Sequence, residues 1–397
     1  MEESNVQMLR LLSQALHGKP ISPISQEQWP AILQELRYQG IFPLVAADVP
    51  KLGLSAQQLS EYRLLIRQHM RRFYCAMDTQ RAAVECLHGA GIPVVVLKGA
   101  AAAAAYPQPD LRCMGDVDLL VPQEQFEAAF HALRAQDDFH TEQTPDKQQR
   151  HIAFHSRQGI ALELHFYFST SDSTAQNEVL DRALFDGIGL AVTQPVCGVA
   201  TPMLPDLQNG LVLLAHINQH LRSGLGLRQI IDWMFYVQAH LDDAHWDAGF
   251  GAAAESIGMR YLAVVVTAMC QRYLGLSDKF NWCKSCQDDS ICEELLDYIL
   301  AHGNFGQKIA SQSNTVSVVR LFRNPIHGLR AAQKSGLQTW NALQAHHWLK
   351  PFAWLYQMIR WIRHGTQNGV TLSGFAKSTQ AERQETDFLR RLGVTRI

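Results

Sequence analysis

Hydrophobic residues recur at intervals of three and four positions over most of the first quarter of the chain. The spacing is clear at Leu9, Leu12 and Leu16, and again over residues 64–77. It places apolar side chains on one face of a helix, and no alternation typical of strands interrupts it. Residues 1–91 are therefore predicted to form an N-terminal helical segment.

A strand-like pattern begins at residue 92. Residues 92–97, IPVVVL, form a β-branched run of strand length, which is typical of a buried strand. Gly99 follows and opens a run of six alanines, the strongest helix formers, which stops before Pro107. The predicted order is a strand, a tight turn and a short helix.

Further strands follow in the next 70 positions. Residues 116–121, DVDLLV, predict a second strand, and a helix is predicted over about residues 123–137. Alternating apolar and polar residues at 151–155 and 160–166, with a glycine-containing turn between them, predict a β-hairpin. Together these segments predict a small mixed sheet.

From about Thr201 the spacing is helical again, at residues 207–221, 227–239, 252–274 and 291–301. The predicted fold class is α+β, a small mixed-sheet domain flanked by an N-terminal helical segment and a C-terminal helix bundle. The predicted boundaries are the helical segment at 1–91, the sheet domain at 92–200, the bundle at 201–316 and a basic, Trp-rich helical tail at 317–397.

Composition narrows the class of protein. The 397 residues are 47% hydrophobic and carry 35 Lys+Arg against 37 Asp+Glu, a formal charge of −2. Disorder as the main state and polyanion binding through bulk charge are therefore excluded. No window reaches the roughly 18 apolar residues of a spanning helix, and the N-terminus lacks the order of a signal peptide. With eight irregularly spaced cysteines, we expect a soluble, cytoplasmic protein with free thiols.

The charge is unevenly distributed along the chain. The tail at 317–397 carries 12 Lys/Arg and three acids, a net +9, whereas the preceding residues sum to −11. Such a tail either meets an anionic partner or folds against the acidic body. Its segment 347–364 combines three Trp with basic residues, so it predicts either peripheral membrane contact or a core-facing helix. Nucleic acid is not an expected partner, since no RNA-binding or helix-turn-helix signature is present.

Three carboxylates stand in strand contexts. Asp116 and Asp118 are two positions apart on a predicted strand, so they project from the same face about 6.5–7 Å apart. Glu163 is a lone acid between apolar neighbours on another predicted strand. Two interpretations are open: a solvated edge, or a site of oxygen donors suited to Mg²⁺.

The order of these residues resembles a known family. The succession is LKG at 97–99, Tyr106, Arg112, GDVDLLV at 115–121 and LELH at 162–165. It resembles the nucleotidyltransferase superfamily with a polymerase-beta-like palm, and more narrowly the bacterial group of uncharacterised nucleotidyltransferases. The similarity spans about residues 60–240.

The resemblance implies that the sheet domain is the nucleotidyltransferase palm. It implies that Asp116 and Asp118 bind Mg²⁺, two ions in all, and that Glu163 is the third acid. In that superfamily the third acid helps to deprotonate the attacking hydroxyl or holds the second metal. Two adjacent ions would clamp the attacking and leaving oxygens of a phosphoryl transfer.

The resemblance also implies that Lys98, Gly99 and Arg112 face the phosphates of an NTP. From the residues alone, Lys98 could equally be a solvated lysine at a strand end, and Arg112 a surface-loop arginine. The chain departs from the family pattern in one respect. Many members carry Gly-Ser or Gly-Gly after the first strand, whereas Ala100 follows Gly99 here, so a hydroxyl contact to the triphosphate is missing.

Several histidines are candidates for substrate contact. His165 shares a strand face with the third acid, and it either bonds the carboxylate or substrate or has a structural role. His216 and His220 are four apart on a predicted helix, a spacing that zinc ligands also use. By resemblance they cover the acceptor side of the cleft together with Arg228 and Asp232. Polar packing between helices is the alternative.

Three cysteines form a CxxCx5C pattern. Cys283, Cys286 and Cys292 could bind zinc with a fourth ligand such as His302. A second CxxC is absent from the sequence, so ordinary free thiols are the competing interpretation.

The leading hypothesis is a Mg²⁺-dependent nucleotidyltransferase that moves a nucleoside monophosphate from an NTP to a hydroxyl acceptor and releases pyrophosphate. The alternative is a non-catalytic nucleotide-binding or regulatory module on the same fold, associated with a membrane in surface-glycan assembly. The sequence identifies neither the acceptor nor the base of the NTP.

Overall fold

In a computed structural model of the chain, the structure describes residues 2–304 except 146–149, 170–173, 222 and 287. It also describes residues 308, 329, 333, 337, 340, 347–357 and 384–394. The principal helices and strands, in chain order, are α1 (Glu3–Leu16), α2 (Trp29–Tyr38), α3 (Ala56–Gly89), β1 (Val95–Leu97), α4 (Gly99–Ala103), β2 (Val117–Leu120), α5 (Phe126–Arg134), β3 (Phe139–His140), β4 (His151–Ser156), β5 (Ala161–His165), α6 (Ala175–Ile188), β6 (Val192–Val196), β7 (Val199–Met203), α7 (Asp206–His220), α8 (Leu227–His240), α9 (Asp243–His245), α10 (Gly251–Ser256), α11 (Arg260–Met269) and α12 (Asp289–His302).

The N-terminal segment is helical, with α3 as its longest element. Ser55 and Gln58 start α3 with a capping box, in which each side chain accepts a hydrogen bond from the other residue's backbone N–H. The chain turns out of α3 at Gly91, whose φ is +73°. This conformation favours glycine because it has no Cβ. The turn delivers the chain directly into β1.

The strands form one mixed sheet in the order β3-β4-β5-β2-β1-β7-β6. Strands β1 and β2 are antiparallel, whereas β2 pairs with β5 and β1 with β7 in parallel. The fold class predicted from the sequence, α+β, is confirmed. The sheet is larger than predicted, because hairpin β6–β7 extends it beyond β1.

Alternation along the strands divides the sheet into two faces. Leu119 and Leu164 lie in the hydrophobic core with Phe73 and Met77 of α3 and Phe130 of α5. Full burial of a side chain of this size contributes about 1.5–3 kcal/mol. The residues between the core positions of β2 and β5 project from the opposite face, where the polar side chains are collected.

The helices after the sheet lie close to their predicted positions. All residues of α8 from Leu227 to Val237 are buried, and its polar residues Arg228, Gln229 and Asp232 are among them. The predicted helix over 252–274 is divided, because Gly258 adopts a φ of +71° between α10 and α11. The boundary predicted at 200/201 falls within β7, so the bundle begins later than expected.

The segments predicted at 1–91 and 92–200, and nearly all of the bundle, belong to one compact unit made of residues Met1–Phe305 and Leu392–Ile397. Residues Gly306–Arg391 form a second unit. Most of the tail predicted at 317–397, Trp361 included, lies outside the described residues. Within the part that is described, His347–Phe352 is a 3₁₀ helix whose Trp348 is 70% exposed.

The described residues contain no single helix with the length and apolar composition of a membrane span. One pair of helices, Asp243–Ser256 and Arg260–Leu274, meets those criteria jointly but is bent by 118°. The predicted peripheral membrane contact of the tail stays a prediction.

Candidate active site

Strand register brings the predicted carboxylates together. Asp118 on β2 pairs directly with Glu163 on β5, and these neighbouring parallel strands present both side chains on the face opposite the core. Asp116 immediately precedes β2 and is half-buried. One carboxylate oxygen from each of the three residues lies within 4.8 Å of the others. The sheet therefore gathers three oxygen donors at one place.

Lys98 contacts this cluster from the turn between β1 and α4. Its φ is +51°, an unusual value for a residue with a Cβ, and Gly99 follows at +40°. The Nζ of Lys98 lies 2.9 Å from Asp118 Oδ1, and the lysine side chain is only 13% exposed. The interpretation of Lys98 as a solvated lysine is wrong. Helix α4, which begins at Gly99, has only five residues, so its helix dipole is small.

His165 lies behind the carboxylates and is buried. Its Nε2 lies 3.0 Å from Asp118 Oδ1 and 3.2 Å from Glu163 Oε2, and its Nδ1 lies 3.3 Å from the carbonyl oxygen of Tyr167. His151 of β4 approaches the other oxygen of Glu163, with 3.5 Å between Nε2 and Oε1. The sequence predicts that His165 lies beside Glu163, whereas no motif marks His151.

The surroundings shift the pKa values of the three carboxyl groups in different directions. Burial opposes ionisation of Asp118, but Lys98 and His165 outweigh it and hold its pKa well below the usual range. Burial likewise opposes ionisation of Glu163, and the hydrogen bond from His165 leaves its pKa lowered. The neighbouring charge of Asp118, followed by burial, raises the pKa of Asp116. Asp116 therefore carries the uncompensated repulsion that a bound cation would relieve.

Arg112 is held by Asp232 at the edge of the cleft. Its Nε and Nη2 donate to the two oxygens of Asp232 at 2.7 Å each, and both side chains are 1% exposed. Tyr106 Oη donates to the same carboxylate at 2.6 Å. The interpretation of Arg112 as a surface-loop residue is wrong. Its predicted role as a phosphate-facing cation stays a prediction, with Asp232 as its partner in this structure.

The buried contacts of Arg112 and Tyr106 with Asp232 fix the position of a loop. Arg112 and Tyr106 belong to the loop that leads into Asp116, whereas Asp232 belongs to α8. Arg72 of α3 holds the same loop, since its Nε and Nη2 donate to the carbonyl oxygens of Met114 and Gly115. The loop is thus fixed to helices on two sides before it reaches the carboxylates.

A cleft of about 170 Å³ opens in front of the carboxylates. Nine of the predicted site residues line it, whereas His165 and Asp232 lie behind its surface. The lining comprises Lys98, Gly99, Arg112, Gly115, Asp116, Asp118, Arg150, Glu163, His216, Gln219, His220 and Arg228. Arg150 and Gln219 were missed. Arg150 directly precedes β4 and faces the site face of the sheet, but no motif in the sequence marks it.

Helices α7 and α8 supply the wall opposite the carboxylates. The rings of His216 and His220 are 4.4 Å apart, and Arg228 Nη1 donates to the carbonyl oxygen of Cys113 at 3.0 Å. Burial, reinforced by Lys98, lowers the pKa of His216 well below its ordinary value and that of His220 to about 3. Both imidazoles are therefore neutral at pH 7.

Neither predicted zinc alternative is assembled in the part of the chain that the structure describes. The groups of three or more metal-ligating side chains found there are Asp116 with Asp118 and Glu163, and His151 with Glu163 and His165. Cys286 Sγ lies 3.8 Å from Cys292 Sγ, but Cys283 Sγ donates to Gln271 and to the carbonyl oxygen of Phe280.

Converging carboxylates on a mixed sheet, opposite a cationic wall, are the arrangement of enzymes that handle nucleotide phosphates. The fold and site therefore have the features expected of a nucleotidyltransferase. The chain belongs to the family described as uncharacterised nucleotidyltransferase, whose family model matches residues 25–275. The resemblance noted in the sequence is confirmed, and the match includes every residue of the site. A comparison with curated proteins finds no match.

Proposed function

We propose that the protein is a Mg²⁺-dependent enzyme that transfers a nucleoside monophosphate from an NTP to a hydroxyl group and releases pyrophosphate. The observation that carries this proposal is the convergence of oxygens from Asp116, Asp118 and Glu163 within 4.8 Å at the floor of the cleft. Family membership supports the reaction class.

The donor set fits magnesium. Mg²⁺ prefers oxygen ligands and completes its octahedral shell with water or phosphate oxygens, which the open side of the cleft admits. Asp116, Asp118 and Glu163 would hold the ions. The ions would supply positive charge to the transferred phosphoryl group and its leaving group. The raised pKa of Asp116, caused by Asp118 and by burial, supports a need for such charge.

The cationic residues of the cleft would bind the triphosphate. Arg150 and Arg228 line the cleft together with Lys98, and guanidinium groups form paired hydrogen bonds to phosphate oxygens. Neutral His216 and His220 would contact the acceptor as hydrogen-bonding groups, since their pKa values, lowered first by burial and then by Lys98, make them poor bases.

Glu163 would receive the proton of the attacking hydroxyl. It is ionised near neutral pH because the hydrogen bond from His165, opposed by burial, lowers its pKa. In the transfer, the acceptor oxygen forms a bond to the α-phosphorus, and the bond from that phosphorus to the bridging oxygen of pyrophosphate breaks. His165 and His151 hold the carboxylate in place, and they are positioning residues in this scheme.

A second candidate function, nucleotide binding without turnover, is favoured by one observation. Lys98 Nζ is engaged by Asp118 at 2.9 Å, and Ala100 offers no hydroxyl to a phosphate. Calorimetric titration with Mg·ATP together with a pyrophosphate-release assay separates the two functions. Binding of Mg·ATP without release of pyrophosphate across a range of acceptors would favour nucleotide binding without turnover.

The decisive experiment uses labelled NTPs in a cell lysate supplemented with the purified protein. We expect a nucleotidylated product with the wild type and a loss of at least about 10³-fold with Asp116→Ala or Asp118→Asn, since several kcal/mol of transition-state stabilisation disappear. Asp137→Ala is the matched control, because that carboxylate is exposed and distant from the cleft. Full Mg·NTP turnover by Asp118→Asn would refute the mechanism.

A further inference from the structure

A second group of metal-ligating side chains adjoins the three carboxylates. His151, Glu163 and His165 each offer one ligand atom, and these atoms lie within 4.8 Å of one another. Only Glu163 belongs to both groups. The mixture of two imidazoles and one carboxylate distinguishes this second group from the all-oxygen set.

Strand pairing places the three side chains on one face. His151 of β4 lies directly opposite His165 of β5 in the antiparallel pair, and their rings are 4.9 Å apart. Glu163 precedes His165 by two positions, so it shares that face. The grouping is therefore fixed by backbone register rather than by flexible side chains.

The distances suit a common ion. Glu163 Oε2 lies 3.2 Å from His165 Nε2, and Glu163 Oε1 lies 3.5 Å from His151 Nε2. Two ligands at about 2.1 Å from one ion are separated by about 3.0–3.5 Å in octahedral or tetrahedral geometry. The two contacts use different oxygens of Glu163, so a common ion would be held by both of them or by one after a rotation of the side chain.

The outer contact of His165 favours ligation through its Nε2. His165 Nδ1 faces the carbonyl oxygen of Tyr167 at 3.3 Å, an arrangement that orients many metal-binding histidines. His151 Nδ1 is buried and makes no hydrogen bond within the described part of the chain. In both rings Nε2 is the atom that faces Glu163. His165 Nε2 also lies 3.0 Å from Asp118 Oδ1, so ligation replaces the proton of this nitrogen with the metal ion.

We propose that His151, Glu163 and His165 form a transition-metal position beside the carboxylate site, with Glu163 shared between the two. The proposal deepens the proposed function, on which it rests, by specifying the metal class. Imidazole nitrogen is a poor ligand for Mg²⁺ and a good one for first-row transition metals. The site therefore takes a dication such as Mn²⁺ at the histidine side and tolerates Mg²⁺ at the Asp116 side.

The test uses Mn²⁺ as the probe and the full-length protein without nucleotide. Pulsed electron paramagnetic resonance detects ¹⁴N coupled to bound Mn²⁺, and titration gives its affinity. We expect nitrogen coupling from two imidazoles in the wild type and from one in His151→Ala. The Kd for Mn²⁺ should rise about 10-fold or more in this variant, with the Kd for Mg²⁺ changed less than about 2-fold, since Mg²⁺ does not use the imidazole.

Controls guard against an indirect effect. His155 lies on β4 two side-chain repeats from His151 and is exposed, so His155→Ala should leave both affinities unchanged. His151→Gln keeps more of the volume while removing the imidazole, and it should match His151→Ala if folding is intact.

Two results are diagnostic. Mn²⁺ that binds without nitrogen coupling, or equal weakening of Mn²⁺ and Mg²⁺ in both His151 variants, would overturn this inference and leave the oxygen-ligated site of the proposed function in place. Failure of the wild type to bind either ion would overturn both.

Discussion

The two walls of the cleft differ in their ionised groups. The sheet wall presents Asp116, Asp118 and Glu163 together with the cations Lys98 and Arg150, whereas the wall from α7 and α8 presents Arg228 and neutral histidines without a carboxylate in the cleft lining. His165 on the sheet side and His220 on α7 show pKa shifts in opposite directions. Burial lowers the pKa of His165, but hydrogen bonds to Asp118 and Glu163 outweigh it and the pKa is raised. Burial and then Lys98 lower the pKa of His220 to about 3. A ligand that satisfies both walls pairs a cation with an anion, as a metal-bound phosphate does.

The largest expected effect is on the free energy of unfolding. It concerns the ion pair through which Asp232 of α8 holds Arg112 in the loop before Asp116. Asp232→Ala leaves Arg112 buried without its bidentate partner, and breaking a buried pair in this way costs about 3–5 kcal/mol. Urea unfolding at pH 7 measures the change in the free energy of unfolding. Asp206→Ala is the control, since the pair of Asp206 with His240 is exposed and is worth about 1 kcal/mol or less.

A double variant sharpens this test. Arg112→Met with Asp232→Leu removes both charges, and apolar replacement of a buried pair is often close to neutral. Recovery of most of the lost stability would identify the unpaired charge as the cause. An Asp232→Ala protein within about 1 kcal/mol of the wild type would show that the two walls are not coupled by this pair.

A smaller effect, on nucleotide affinity, is expected at Arg150, a cation of the sheet wall that the sequence did not predict. Arg150→Gln should raise the Kd for Mg·NTP about 10-fold, which corresponds to about 1.4 kcal/mol, because a charged contact to phosphate is lost. Calorimetric titration measures it. Arg157→Gln changes an exposed arginine on the adjoining hairpin and should not alter the Kd. Equal affinities of the Arg150 variant and the wild type would remove Arg150 from the nucleotide site.

The smallest effect is a pair of opposite pH dependences. The pKa of His165 is raised in the folded protein, so its stabilisation is complete below the unfolded value of 6.5 and is lost as pH rises through the folded value. The pKa of His220 is lowered to about 3, so stability is lost as pH falls below 6.5.

Unfolding in urea and EDTA between pH 5 and pH 8 tests these slopes. Subtracting the curve of His165→Gln from that of the wild type should give a contribution that declines with rising pH. The same subtraction for His220→Asn should give one that declines with falling pH. Slopes of the same sign would contradict the opposite pKa shifts assigned to His165 and His220.

Local patterns were sufficient to predict the central strands. The β-branched run before Lys98 and the alternation around Asp118 depend on burial of one face, a property that short sequence windows record. Hairpin β6–β7 escaped detection because four consecutive residues of β6 are exposed and Pro195 interrupts it. Proline is tolerated there because β6 is an edge strand.

The site was predictable in its residue types but not in its pairings. The pairing of Asp118 with Glu163 depends on the register between β2 and β5, which the sequence of neither strand specifies alone. Arg112 and Asp232 are 120 positions apart, so the sequence alone did not identify them as partners. His151 and Arg150 carry no motif, and only their position at the start of β4 brings them to the site.

The spacing of these partners along the chain bears on how the protein is made. The contact of His165 with Asp118 closes a loop of 47 residues, and that of Tyr106 with Asp232 closes one of 126. Loop closure of this length costs entropy that is recovered only when the distant partner is present. During synthesis the catalytic floor therefore acquires its final support after α8 has left the ribosome, and maturation of the centre is tied to completion of the fold.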